Sequence, residues 1–440
     1  MRRRVLAALL AVSLAASATF GGEWTPPPVA ITFKAYQAAY PKKSVSAAAL
    51  EIESLVTRLG IDVAPQGPTS VDPDDEDKLV QLRPDDGRER PDPALAKRMR
   101  SAITAVGHWA EQELAEPSVR IGPPVASVVH FFDENEPTVD AIVAVASGSR
   151  PVDWDLDVAL RGEAPIPNLM GLGQLQRVLA ARALLQLRAE DSDSALATIE
   201  GMWRLAASLA DQPYLISQLI ALREVRLVVG LLRKVDGPVF GWEQRLRQQP
   251  FHDAFLAALQ NDPWPMAEDP QLSLQVETVT RVYRRFVEGL VEKSACDWTR
   301  ETLTHSWQVA VSAENAPDEM IAKVAWDSIV DMVPRAQRLL LDSELTALVL
   351  QARAEKDASR EGAWPPRLPN LESSVCPGRF YTYRRAGGVT IAFDGPLPAE
   401  GERSGLVLPT TFRGPPPPTP TPTARPASTP SPTPRRRPSS

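Results

Sequence analysis

Apolar residues recur every three or four positions through the middle of this chain. Leu172, Leu175, Leu179, Ala183 and Leu187 form one stripe. Leu196, Ile199, Trp203, Ala207 and Ala210 form a second, and Leu215, Leu219, Leu222, Val225, Val229 and Leu232 a third. This spacing predicts three amphipathic helices, each with one face to bury. Their ends are punctuated. Asn168 can cap the first, Asp191-Ser192-Asp193 offers a turn and a new cap, Pro213 opens the third, and Asp236-Gly237-Pro238 stops it. Turns this short force antiparallel neighbours, so a helical bundle or solenoid-like array follows.

The same period predicts helices over 251–261, 268–293, 296–312, 317–332 and 335–360. Val276, Val279, Tyr283, Phe286 and Leu290 line the second of these, and Pro317 and Pro334 mark starts or kinks. Asp92-Pro93 is a good helix start, an acid at the cap followed by proline at the first helical position. Residues 125–132 are β-branched and aromatic and predict a buried strand or an irregular packed segment. Nearer the start, Pro26, Pro27 and Pro28 lead to a short helix whose apolar members are Leu50, Ile52, Leu55 and Leu59. Residues 72–92, rich in acids, arginine and proline, predict a solvated linker or long loop.

Beyond Trp364-Pro365-Pro366 the period changes. Phe380, Tyr381, Thr382 and Tyr383 precede Ala386-Gly387-Gly388, and Val389 to Phe393 follow, which reads as a β-hairpin. Residues 406–412 are a candidate third strand. A lone hairpin is marginal in water, so it must dock on the helices. The divisions expected are a signal peptide over 1–18, an N-terminal extension with an acidic linker over 19–92, a helical domain over 93–361, a hairpin segment over 362–413 and a disordered Pro/Thr/Ser-rich tail over 414–440. The fold class is mainly α, with the small β-hairpin at the C-terminal end.

Composition adds a destination. Arg2, Arg3 and Arg4 form a basic start, the apolar run from Val5 to Ala18 follows, and Ala16-Ser17-Ala18 gives the small-x-small pattern of a signal-peptidase site. The run falls short of the ~20 apolar residues a membrane helix wants. The chain is therefore expected to be exported, periplasmic or extracellular, with no transmembrane span after cleavage. Removing a leader with three arginines takes the formal charge from −7 to −10, and setting aside the tail's four arginines takes the body to −14. An acidic body repels phosphates, so nucleic acid is an unfavoured partner. In an oxidising compartment Cys296 and Cys376 can bridge, tying a helical region to the hairpin; two separate thiols are the alternative. The tail, basic at Arg435, Arg436 and Arg437, should sample extended polyproline II, either as a solubilising spacer or settled on an anionic envelope polymer.

Candidate chemistry is sparse. The chain lacks His-Glu-x-x-His, Gly-x-Ser-x-Gly, Gly-x-x-x-x-Gly-Lys and Cys-x-x-Cys, and its four histidines (His108, His130, His252, His305) are scattered. Gly171-Leu172-Gly173 reads as a turn at a helix start. Asp153, Asp155 and Asp157 alternate like the opening of a calcium loop, but Val158 and Ala164 occupy the positions needing glycine and a bidentate acid, leaving a solvated acidic edge. His130, Asp133, Glu134 and Glu136 bring an imidazole near three acids, either an acid–base cluster for hydrolysis or a polar loop beside an aromatic anchor. Trp109, Trp203, Trp298, Trp307 and Trp326 sit at helical positions and are assigned to the core. Trp24, Trp154, Trp264 and Trp364 lie in loops, to stack on sugar rings or to cap a core edge.

The stretch from Leu169 to Val235, with "LMGLGQLQRVLAARALLQLRAEDSDSALATIEGMWRLAASLADQPYLISQLIALREV", resembles an uncharacterised family of exported bacterial helical proteins. The stretches "ELTALVLQARAEKDASREGAWPPRLPNL" and "FYTYRRAGGVTIAFDG" are similar to that family's C-terminal part, and also to the periplasmic part of type II secretion pseudopilins: a helix, a Trp-Pro turn, then short strands. The chain lacks the prepilin-cleavage signature and the long apolar N-terminal helix of pseudopilins. Ala183 and Ala195 faintly echo a tetratricopeptide unit, with no second copy at that period. The resemblance implies structure and carries over no catalytic residue.

The function expected is that of a non-catalytic cell-envelope interaction module, its partner an envelope protein or an anionic envelope polymer. The alternatives are an exported hydrolase using carboxylates in a groove between body and hairpin, and a secretion-system accessory protein. No catalytic residue, metal ligand or cofactor is assigned.

Overall fold

Helix ends in this protein fall where short polar side chains can meet the first free amides. In the computed structural model α1 (Phe33–Ala39) is capped by Thr32 and α2 (Ala47–Thr57) by Ser46. Asp92 caps α3 (Pro93–Ala115), accepting from the Leu95 amide at 2.8 Å, with Pro93 at the first position. After α4 (Ala126–Ala146), Asn168 caps α5 (Leu169–Arg188) and Asp191 caps α6 (Ser192–Ala210). Then come α7 (Leu215–Lys234), the short α8 (Trp242–Arg247), α9 (Phe251–Asn261), α10 (Ser273–Val291), α11 (Arg300–Ala313) and α12 (Glu319–Ala358). The structure describes residues 32–65, 69–72, 75–81, 87–237, 239–263, 273–291, 293–314, 319–385, 388–398 and 406–415. The stretch expected to be a signal peptide, the proline-rich entry, Trp24, Trp264, Pro317, the side chain of Trp326 and the tail beyond Pro415 lie outside them.

The three-helix array is present. Helices α5, α6 and α7 pack on one another, α3 lies against α5, α4 against α6, and α2 against α4. Helix α7 is central, contacting α3, α5, α6, α9 and α12. Hidden on every side over its second half, it would be expected to be apolar there all round, yet it buries Glu224, Arg226, Arg233 and Lys234. One large core runs from Ala48 to Leu408 through these helices.

Several expectations are corrected. Residues 126–132 are helical, the start of α4, with Val125 extended at the N-cap. Val128, Phe131, Phe132, Val139, Ile142 and Val143 are buried at helical spacing while Val125 and Val129 face out. Packing of that stripe overrides strand propensity. Pro137 sits within the helix, and the Asn135 amide donates to the Phe131 carbonyl at 2.8 Å one turn before it. The helices expected at 317–332 and 335–360 are one: α12 runs through Pro334, flanked by the buried Val330, Val333 and Ala336. Burial on both sides offsets the lost hydrogen bond. The acidic linker holds an antiparallel pair, β1 (Thr69–Asp72) and β2 (Asp75–Gln81). In α2 the buried face is Ala48, Ala49, Ile52 and Val56, with Leu50 exposed.

The hairpin forms with one more strand. β3 (Tyr381–Arg384) pairs antiparallel with β4 (Val389–Phe393), which pairs antiparallel with β5 (Thr411–Gly414). Tyr381, Val389, Ile391 and Phe412 pack on Leu345, Leu348, Val349 and Ala352 of α12. Cys296 and Cys376 form a disulfide with Cα atoms 5.5 Å apart, joining the turn before α11 to the loop before β3. Glu344 of α12 holds that loop: it accepts from the Ser373 hydroxyl at 2.6 Å, the Ser374 amide and hydroxyl at 2.7 Å each, and the Tyr381 hydroxyl at 3.0 Å.

Candidate functional site

Two places concentrate polar chemistry inside this scaffold. The first is a cluster of buried arginines. Asp342 of α12 faces three guanidinium groups: Arg226 and Arg338 at 3.4 Å and Arg233 at 3.3 Å. One carboxylate cannot balance three cations; Arg233 Nε donates to the Thr346 hydroxyl at 2.7 Å, and further donors go to backbone carbonyls. Arg226 donates to Leu406 O at 3.3 Å, Arg338 to Leu408 O at 2.6 Å and Arg233 to Pro409 O at 2.6 Å. Arg353, fully buried, donates to the carbonyls of Leu232 at 3.0 Å and Arg233 at 2.6 Å, covering the C-terminal end of α7. A cation there is favoured by the free carbonyls and the helix dipole. Burial lowers its pKa to about 10, so it stays charged at neutral pH. Lys234 donates to Glu116 O at 3.0 Å and Ser118 O at 2.6 Å. These cations lash residues 116–118 and the irregular segment 406–409 to α7 and α12. They are spent on structure.

The second place has unspent groups. A cleft of ≈ 240 Å³ opens between the end of α1, the α6–α7 turn and α9, lined by Tyr40, Lys43, Leu156, Asp211, Gln212 and Ala254 among others. Lys43 Nζ lies 3.4 Å from Asp211 Oδ2, while its backbone pairs with Leu156. Gln218 donates to the carbonyls of Leu209 at 3.0 Å, Ala210 at 3.2 Å and Gln212, which closes the C-terminal end of α6. Ser217 donates to Gln212 Oε1 at 2.8 Å, which turns the Gln212 amide so that its Nε2 is buried without a partner. Behind the cleft Tyr36, Tyr40 and Tyr214 share an aromatic cluster with Leu156, and the hydroxyls of Tyr36 and Tyr214 are likewise unpartnered.

The phenols of this cluster are held neutral. Burial pushes the phenols of Tyr36, Tyr40, Tyr214 and Tyr283 up, and for Tyr36 the neighbouring Tyr214, Tyr40 and Asp262 add to it. The Asn261 side chain opposes the rise at Tyr40. Burial also raises the carboxyl of Asp262 to about 6. Phenols held in the O–H form and an acid that protonates near neutrality favour hydrogen-bonded recognition over nucleophilic attack.

The residues flagged from sequence lie elsewhere. Asp155 accepts from the Val45 amide at 2.9 Å and pairs with Arg88, and Asp157 caps Ala159 at 3.2 Å and pairs with Lys42 at 2.7 Å. Trp154 and Leu156 between them are buried, so this stretch is a paired strand-like seam and the solvated edge is corrected. Among the described residues no group of three or more His, Cys, Asp or Glu is arranged to hold a metal. His130 to Glu136 lie on α4 rather than in a loop. His130 pairs with Glu134 at 3.5 Å in the open, and Glu136 reaches Arg182 at 2.6 Å, so the acids spread around the helix instead of converging. The loop tryptophans Trp154 and Trp364 are buried, as are the helical Trp109, Trp203 and Trp307; Trp298, expected on a helix, is buried in the turn before α11. The groove between α12 and the sheet carries a single carboxylate, Glu355, among its lining residues.

Sequence reasoning passed over Tyr36, Tyr40, Lys43 and Gln212. A signal existed: Tyr36 and Tyr40 stand one helical turn apart, and three of only six tyrosines meet here. Compared with protein-family models, with curated proteins and with solved structures, the chain matches none. What the geometry defines is a class: a disulfide-joined helical scaffold with a cleft lined by Tyr40, Lys43, Asp211 and Gln212 and backed by buried tyrosines. Among the described residues no helix is long and apolar enough to cross a membrane.

Proposed function

We propose that this protein is an exported scaffold of the cell envelope that acts by binding, and that its cleft beside Tyr40 takes a hydroxyl-rich unit of an envelope polymer. One observation carries this reading. Three buried donors, Gln212 Nε2 and the hydroxyls of Tyr36 and Tyr214, stand unpartnered in or behind the cleft. An unpaired buried donor costs roughly 1–3 kcal/mol. A ligand acceptor that reaches Gln212, which lines the cleft, recovers that cost there, and Lys43, paired with Asp211, gives it a cation for any anionic group. The basic, apolar start of the chain and the bridge between Cys296 and Cys376 support an oxidising destination.

The test has two arms. Fractionation should recover a chain lacking its first residues outside the cytoplasm. Purified envelope polysaccharide should retain the mature protein and release the Gln212→Leu and Lys43→Ala variants, which keep the wild-type melting midpoint. Recovery of intact Met1 in the cytosol, or equal retention of all three proteins, would overturn the reading.

A further inference from the structure

A groove of ≈ 570 Å³ lies between the end of α12 and the β-sheet, with Ala358, Trp364, Pro365 and Pro366 as its apolar wall and Ser359 and Arg385 at its polar edge. Its elements are firmly placed. The Tyr383 hydroxyl donates to Pro365 O at 2.7 Å, and Lys356 lies 5.1 Å over the Trp364 ring. The last strand runs directly past it. At Gly414 an added Cβ would sit 2.7 Å from the Trp364 ring, so only glycine lets the chain pass this close. One residue later the Trp364 indole N–H donates to the Pro415 carbonyl at 3.4 Å. The chain then continues Pro416-Pro417-Pro418-Thr419-Pro420-Thr421-Pro422-Thr423, eight residues without a charge.

Tryptophan and proline walls with an indole donor are the surface that a polyproline II segment fits. Such a segment makes no internal hydrogen bonds, so every carbonyl is free to accept, and its rings are already ordered before it docks. The first such contact is present at Pro415, and Arg385 offers further donors along the edge. An uncharged strand loses no ionic hydration on entering. Because it is tethered at the groove itself, its effective concentration there is about millimolar, which weak contacts suffice to exploit.

We propose that this groove is the seat of the chain's own proline-rich stretch, residues 416–423, which lies across Trp364 toward Arg385. The inference is independent of the cleft beside Tyr40.

Arg385 is exposed, so a photo-reactive p-benzoylphenylalanine can replace it in the full-length protein without disturbing the core. Irradiation should give an intramolecular cross-link mapped by mass spectrometry to residues 416–423. The cross-link should be lost when Pro416→Ser, Pro417→Ser and Pro418→Ser are combined, with the melting midpoint unchanged. The same probe at Leu160, exposed on the loop between α4 and α5, should not reach the tail. A cross-link from position 385 to a second copy, to any other part of the chain or to nothing would overturn the proposal. So would a cross-link that survives the three serines.

Discussion

Replacing Asp342 by asparagine tests whether its charge holds the interior together. The side chain is 2 % exposed, and the three guanidiniums around it are 4–6 % exposed, so none can turn to water when the carboxylate is lost. Asparagine keeps an acceptor for Arg233 and Arg338 at one position. At the other it sets an amide against Arg226 Nε, donor against donor, where the ion pair now stands at 3.4 Å. Breaking one partner of a buried pair costs about 3–5 kcal/mol. The lower end applies here, because each arginine retains a carbonyl of its own at Leu406, Leu408 or Pro409. A loss of about 3 kcal/mol is a fifth or more of the ~5–15 kcal/mol that holds a typical domain. Urea unfolding followed by far-ultraviolet circular dichroism measures it. The control is Asp140→Asn, which removes a half-exposed pair with Arg182 at 3.0 Å and should cost less than about 1 kcal/mol. If both variants lose the same small amount, the net positive interior is not balanced by Asp342 and the reasoning fails.

Four further outcomes follow from the same physics. Reducing the Cys296–Cys376 bridge opens a loop of 80 residues, which should cost about 4–5 kcal/mol by chain entropy and lower the urea midpoint in dithiothreitol, while a Cys376→Ala variant shows no response to reductant. Gly171→Ala should be severely destabilising, because its Cβ would land on the Asp62 carbonyl oxygen, whereas Gly173→Ala, with open space around it, should gain up to about 1 kcal/mol. Thermal melts of the two variants separate them. Burial raises the Glu224 carboxyl from 4.5 to about 8, so the folded chain binds a proton that the unfolded chain releases, and this group's contribution to stability is lost as pH climbs through that window. Glu224→Gln should remove that slope and be the more stable form at pH 8, and a variant that tracks the wild type from pH 5 to 8 would rule the protonated Glu224 out.

Helices were legible in this sequence wherever one apolar stripe and one polar cap agreed. Asp92, Asn168 and Asp191 each sit at the N-cap position of a helix and accept from an amide three residues on, because short polar side chains there have a single good partner. Legibility ended where local and tertiary demands conflict. Val125, Val128 and Val129 favour a strand, and only the partners of Val128, Phe131 and Phe132 in the core make α4 the better choice. Pro334 looked like a boundary since its cost is local, while the gain from continuing α12 comes from α7, α8 and α9. The tyrosine cleft was hidden for a related reason: Tyr36, Tyr214 and Asp262 are remote in sequence and meet only once α1 settles beside the α6–α7 turn.

The buried arginines explain why the central helix tolerates charges that a pattern rule would place at the surface. Residues 406–409 have no regular secondary structure, and the carbonyls of Leu406, Leu408 and Pro409 meet donors from the core. A buried carbonyl without a donor costs free energy, and an apolar helix face offers none. Arg226, Arg233 and Arg338 supply those donors from α7 and α12, at the expense of desolvating three cations that Asp342 partly neutralises. The charges in 225–235 that broke an otherwise apolar run are thus the means by which a non-repetitive segment is fastened to a helical body. The disulfide packs with Phe393 of β4 against Leu341 on the sheet-facing side of α12 and ties the loop before β3 to the turn before α11. An Arg338→Met substitution isolates this role: it removes the donor to Leu408 O while keeping the stem packed. It should raise hydrogen exchange across 406–413 ahead of the helices, and uniform exchange throughout the chain would show that the arginines do not fasten that segment.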